Sequence, residues 1–191
     1  MQLLDLPFTI EHSRYGEPSP PVTATDISVL VQDLAANKAE EVARRVTASL
    51  VIGADTLVGP DSFTGIPFGK PRDREDAAFM LRQLAGSWHR VSTGIAIVPA
   101  GTLSSLTRPI VDVVTTRVKF REMSDTQIHD YISTGEPLDK AGSYGAQGFA
   151  ARYIEAIDGD FYNVVGLPIC RLSVLLEPIL IAATARLQLE R

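Results

Sequence analysis

The chain has 191 residues, 45% of them apolar, which is ample for the core of one α/β domain or two closely packed lobes. A formal net charge of −5 without a basic stripe argues against a duplex nucleic-acid surface, though not against a small phosphate ligand in a local basic pocket. Cys170 is the only cysteine, which excludes an intrachain disulfide and fits a reducing cytoplasm; no run of about 18 apolar residues spans a membrane, and Met1 to Asp5 does not read as a signal peptide.

Taken in chain order, Phe8 to Glu11 reads as a short strand after the end of a helix, and Gly16 to Pro21 as a proline-bearing loop. Thr25 to Val46 is predicted helical, with Ile27, Val31, Leu34, Ala35, Ala39, Val42 and Val46 on one stripe. Leu50 to Ile52 is a short buried strand that ends at Gly53-Ala54-Asp55-Thr56, with Leu57 and Val58 carrying the chain toward a turn. Asp73 caps a helix running to Leu84, where Gly86 stops it. Two long strands, Trp88 to Val98 and Ile110 to Phe120, are expected to pair antiparallel. Ser124 starts a helix that Gly135 ends. A short element follows around Phe149 to Ile157, then a helical stretch opened by Pro168 and interrupted by Pro178. The sum is an α/β domain around a mixed sheet.

The stretch from Gly135 to Gly148 holds four glycines, two acids, a lysine and a glutamine in fourteen residues. Glycine admits close backbone approach, and the ionisable and amide side chains supply contacts. It reads either as a cradle for a polar ligand or as a surface loop of turn residues.

Three single residues stand out. Asp55 follows a short strand, where an open α/β sheet places ligands. A carboxylate there can bind Mg²⁺ or take a proton from water, or it can bond its own backbone in a turn. Lys38 falls on the inward stripe of the first helix, so it either snorkels or meets an anion. Lys70 precedes a helix N-terminus, a natural phosphate position, or is a solvated turn lysine. Gly65 to Lys70 is not a Walker A loop, because one residue is missing and Pro71 replaces the Ser or Thr. His12, His89 and His129 are scattered with no zinc spacing, and His89 and Trp88 read as packing residues.

Together these segments resemble the Maf family of nucleoside triphosphate pyrophosphatases. The matches run in order through Leu6-Pro7-Phe8, Glu17, Lys38-Ala39, Ala54-Asp55-Thr56, Gly69-Lys70-Pro71 and Leu84-Ala85-Gly86 with His89, Val91, Thr93 and Gly94. They continue through Glu136-Pro137, Asp139-Lys140-Ala141-Gly142, Gln147-Gly148 and Asn163 to Pro168. The resemblance implies an ITPase-like fold in which a mixed sheet is flanked by helices, with two lobes around a cleft, and often a homodimer. It implies cytoplasmic, metal-dependent hydrolysis of a nucleoside triphosphate to the monophosphate and pyrophosphate, and an association with septum formation. Asp55 falls on the family's proton acceptor, and Thr56 and Gln147 on positions tied to base choice. Glu17, Lys38, Lys70 and Lys140 fall on polar residues lining the site. Asp55 and Glu17 are the implied ligands for Mg²⁺ or Mn²⁺. The loop Lys140 to Gly148 is similar to the dTTP/UTP branch rather than the 7-methyl-GTP branch. The Gln147 amide suits a uracil or thymine edge.

The family opens with a strand and a Ser-Pro-Arg-Arg loop before Leu6-Pro7-Phe8, and neither occurs in residues 1–191. The chain therefore reads as one Maf-like domain without that strand and loop. A start upstream of Met1 accounts for this best, because the other motifs are intact. The rival functional reading is a catalytically impaired nucleotide-binding or division-linked regulator of the same fold. It draws on the absent arginine pair.

Overall fold

The computed structural model describes residues 2–16, 26–47, 50–61, 67–101 and 108–189. Its centre is a four-stranded sheet of β1 (Leu50–Pro60), β2 (Trp88–Pro99), β3 (Ile110–Phe120) and β4 (Ile154–Asp158), in the order β1-β2-β3-β4. The sequence suggested a mixed sheet; the described strands pair antiparallel throughout. The α/β class holds, with helices on both faces of the sheet.

Alternation along β2 sorts its two faces. Gly94, Ala96 and Val98 meet α1 (Ile27–Ala43), whose Ala35 and Ala39 pack on Ala96 and Val98. His89, Val91, Ile95 and Ile97 face the other way. There Val91 joins the core formed with α2 (Arg74–Leu84) and α3 (Asp125–Ser133). Ile95 and Ile97 pack on Leu172 and Leu176 of α5 (Ile169–Leu189).

The predicted helices form with the caps their sequences carry. The Asp26 side chain accepts from Ser28 N at 3.0 Å, and Asp73 accepts from Asp76 N at 2.8 Å. Ser124 and Gln127 make a capping box on α3. The first helix runs Ile27–Ala43, so Val46 lies beyond it, and Thr25 is outside the described residues.

Three expectations are corrected. Phe8 to Glu11 is irregular rather than a strand. The neighbouring segment is bound to α1 instead: Ser13 Oγ and Arg14 N donate to Glu41 at 3.0 and 2.8 Å, and Arg45 donates to the His12 carbonyl. Leu50 to Ile52 is not a short strand that ends at Gly53 to Thr56. β1 is continuous over 11 residues, which puts Asp55 in mid-strand opposite Gly94. Gly53 is there for close packing, since a Cβ at that position would lie 2.6 Å from the Ala35 carbonyl oxygen and 2.8 Å from Ala39 Cβ. Pro178 does not interrupt the last helix, because α5 passes through it. Pro178 is exposed, as is Val174 one turn earlier, so the carbonyl that loses its bond can turn to water.

His89 is fully buried as a packing residue, edge-on to Phe120 and Tyr144, with Nε2 2.9 Å from the Tyr144 hydroxyl. Burial lowers its imidazole from 6.5 to about 4. The folded state therefore holds His89 neutral. As pH falls below 6.5 the unfolded chain takes up the proton first, and stability is lost progressively down to about pH 4. The shift corresponds to about 3 kcal/mol at its full extent. Urea midpoints measured from pH 7 to 4.5 should fall more steeply for the wild type than for His89→Gln. Parallel profiles would remove His89 as the cause.

Candidate active site

A cleft of about 560 Å³ opens along β1, which lies at one edge of the described sheet. Residues Ala54 to Val58 of β1 form its base. Gly69 and Lys70 line it, as do Glu136 and the loop from Asp139 to Gly148. The end of α4 (Phe161–Val165) with Gly166 closes another side.

Alternation splits the two central β1 residues. Asp55 pairs with Gly94 and so shares the α1 face. There its carboxylate is ion-paired with Lys38 of α1, and both side chains are largely buried. The lysine that the helical stripe turned inward has thus met an anion rather than snorkelled. The close seat of α1 makes the pair possible. A Cβ on Gly94 would lie 2.1 Å from the Val31 carbonyl oxygen, so only glycine lets the helix backbone come this near.

Thr56 pairs with Thr93 and shares the opposite face. Its Oγ1 is 2.8 Å from Thr93 Oγ1, which is 3.1 Å from the Asn163 carbonyl oxygen. Asn163 is itself fully buried, and its Nδ2 donates to the Val91 carbonyl at 2.9 Å and to Thr116 Oγ1 at 3.0 Å. This polar relay ties α4 to β1 through the middle of the sheet. Thr93 and Asn163 stood in the matched motifs, but nothing in the sequence alone showed that they meet.

The glycine-rich loop is partly buried. Gly142, Ser143, Tyr144 and Ala146 are buried, while Gln147 stands exposed at the rim. Behind it, Glu136 accepts from the Tyr131 hydroxyl at 2.7 Å and from Phe149 N at 2.8 Å. The Tyr131 oxygen accepts from Gly145 N at 3.2 Å. Burial, and then Glu136, push the Tyr131 phenol upward, so it keeps its proton and remains a donor. These two residues brace the backbone on both sides of Gln147, and the sequence reading assigned them no role. Glu136 stood in the matched Glu136-Pro137 pair, but its partners are set only by the fold.

Lys70 is exposed at the cleft, with Gly69 held to the loop by a 3.0 Å bond from Gly142 N. Lys140 donates to Asp139 at 2.7 Å on an exposed surface. That contact, chiefly, and the positive field of Lys70 hold the Asp139 carboxyl below its ordinary value. Asp55, Thr56, Lys70, Lys140 and Gln147 therefore line one cleft, and Lys38 reaches it through Asp55. Glu17 lies outside the described residues. No group of three or more His, Cys, Asp or Glu side chains is placed to hold a metal ion among the described residues.

A family model described as Maf-like protein matches residues 1–179. The chain belongs to the Maf family. Among curated relatives, a dTTP/UTP pyrophosphatase of Alkaliphilus metalliredigens is 47% identical over 149 residues, 78% of this chain and 73% of the relative. One of Acetivibrio thermocellus is 46% identical over 155 residues, covering 78% and 74% of the two chains. One of Clostridium botulinum is 42% identical over 172 residues, covering 88% and 84%. The Maf resemblance read from scattered motifs is thus borne out. No helix among the described residues is long and apolar enough to cross a membrane.

Proposed function

We propose that this Maf protein hydrolyses nucleoside triphosphates, dTTP and UTP first among them, to the monophosphate and pyrophosphate. The observation that carries the reading is a cleft lined together by Asp55, Thr56, Lys70, Lys140 and Gln147, in a chain more than 40% identical to proteins named dTTP/UTP pyrophosphatase. The reading carries with it a cytoplasmic location and a homodimer.

Water attacks the α-phosphorus, the new P–O bond forms, the α–β bridging P–O bond breaks, and pyrophosphate leaves with the electron pair. Asp55 takes the proton that the water gives up. Lys38 orients that carboxylate from α1. Negative charge grows on the departing pyrophosphate, and Lys70 supplies counter-charge in the cleft. A divalent cation, Mg²⁺ or Mn²⁺, held by Asp55, by phosphate oxygens and by Glu17, would add Lewis-acid neutralisation of the phosphates. The base end lies toward Thr56 and Gln147, where a neutral amide offers one donor and one acceptor to a uracil or thymine edge.

The test is pyrophosphate release with UTP, dTTP and 7-methyl-GTP as substrates. UTP and dTTP should lead in kcat/KM by at least about 10-fold, the scale of one polar group left unpaired at about 1–3 kcal/mol. A preference for 7-methyl-GTP would overturn the base assignment. Binding of UTP without any turnover would favour a nucleotide-binding regulator instead.

A further inference from the structure

We propose that Thr93 sets the hydrogen-bond polarity of Thr56 and so selects bases that present an N–H over bases that present a bare ring nitrogen. The inference rests on the reading of the cleft as a nucleoside triphosphate site, and it names what chooses among pyrimidines there.

The argument is a count of protons. Thr93 Oγ1 is fully buried and has one proton. It lies 3.1 Å from the Asn163 carbonyl oxygen, which can only accept. A hydroxyl and a carbonyl oxygen at that distance attract only when the hydroxyl proton lies between them; otherwise two sets of lone pairs face each other. Thr93 therefore donates to Asn163. Its 2.8 Å contact with Thr56 must then be made by the Thr56 proton. Thr56 has no second proton, so its oxygen turns only lone pairs toward the cleft. Thr56 lines that cleft beside Gly166, and a Cβ on Gly166 would sit 3.6 Å from Thr56 Oγ1.

The relay is well anchored. Asn163 sits in α4 behind its cap, Asp160, which accepts from Tyr162 N at 2.7 Å and Asn163 N at 3.3 Å. The Asn163 side chain is fixed by Val91 and Thr116. The Asn163 carbonyl cannot swing away to release the Thr93 proton, because Gly166 N also donates to it at 2.9 Å.

An acceptor-only group distinguishes pyrimidines that an amide cannot. Turning the Gln147 amide by half a turn exchanges its donor and acceptor, so it can satisfy uracil or cytosine alike. Thr56 has no such freedom. It accepts from N3–H of uracil or thymine, and it opposes N3 of cytosine with lone pairs. A polar site left unpaired by the wrong ligand discriminates more strongly than a site that merely fits poorly.

Thr93→Val removes the buried hydroxyl while keeping the side-chain shape. The Thr56 proton is then free to turn toward the base, and cytosine becomes acceptable. The UTP:CTP ratio of kcat/KM should fall about 10-fold, with part of the change arising from a gain on CTP. Thr93→Ser keeps the proton relay and should keep the ratio, which guards against a trivial packing effect. In a Thr56→Val background the Thr93→Val change should leave the ratio where Thr56→Val put it, since both act through one hydrogen bond. A Thr93→Val enzyme that turns over UTP with an unchanged UTP:CTP ratio would overturn the inference, as would additive effects in the double variant. A wild type that hydrolyses UTP and CTP equally well would sink it alone. A wild type that hydrolyses no nucleoside triphosphate would sink the functional reading beneath it.

Discussion

Asp55→Asn is expected to lower kcat for UTP hydrolysis by roughly 10²–10⁴-fold, the range for losing a positioned general base. The substitution keeps the side-chain shape and removes the charge. In the folded chain that carboxylate is held against Lys38 from α1 and stands at the base of the cleft. An amide in its place can still sit beside the lysine, but it cannot take a proton from water at neutral pH. It is also a poorer ligand for a hard divalent cation. The loss should fall on kcat more than on KM, because the interaction is made as the water loses its proton. Steady-state pyrophosphate release at saturating UTP reads it directly. Near-normal turnover by a folded variant would remove Asp55 from the role of base.

Gly94→Ala is expected to cost about 3 kcal/mol or more, beyond the usual range for one added methyl in a core. The reason is what the methyl meets. A Cβ on Gly94 would lie 2.1 Å from the carbonyl oxygen of Val31, 2.4 Å from its carbon and 2.7 Å from Gln32 N. These are backbone atoms of a hydrogen-bonded helix, so no side-chain rotation relieves the overlap. Either α1 moves away from the sheet or β2 bends. The loss should appear as a fall in Tm of roughly 10 °C for a domain of this size. Because Gly94 lies opposite Asp55, moving α1 also pulls Lys38 from the carboxylate, and residual activity should fall with stability. A Tm within about 2 °C of wild type would show that the helix does not sit on Gly94 in solution, since about 1 kcal/mol already shifts Tm by a few degrees at this size.

How far the site could be read beforehand differs residue by residue. Lys38 was legible as an inward lysine because helical periodicity is a property of sequence, but its partner was not, because Asp55 is 17 residues away on another element. Asp55 drew notice as a strand-end carboxylate, which the continuous β1 does not bear out. It was the right residue for a reason the fold corrected. Gly53, where the predicted strand ended, is instead a point of close approach between β1 and α1. The loop from Gly135 to Gly148 was legible as either a cradle or a surface loop, and the fold places it along the cleft. What the sequence did not show is that Tyr144 and Ala146 are buried between its glycines.

The sequence by itself determined the family, the helices with their caps, the antiparallel pair Trp88 to Phe120, and a short list of polar residues. Each of these is written in local spacing, where periodicity, cap chemistry and turn residues act over a few positions. The tertiary structure decided what those residues touch. It placed Asp55 and Thr56, neighbours in sequence, on opposite faces of one strand, the first against Lys38 and the second against Thr93. It also braced Gln147 from behind with Tyr131 and Glu136. The physical reason is one of range. Hydrogen-bond direction and ion pairing depend on a few tenths of an ångström between atoms far apart in the chain. Only the packing of α1, α4 and the loop on a common sheet sets those distances.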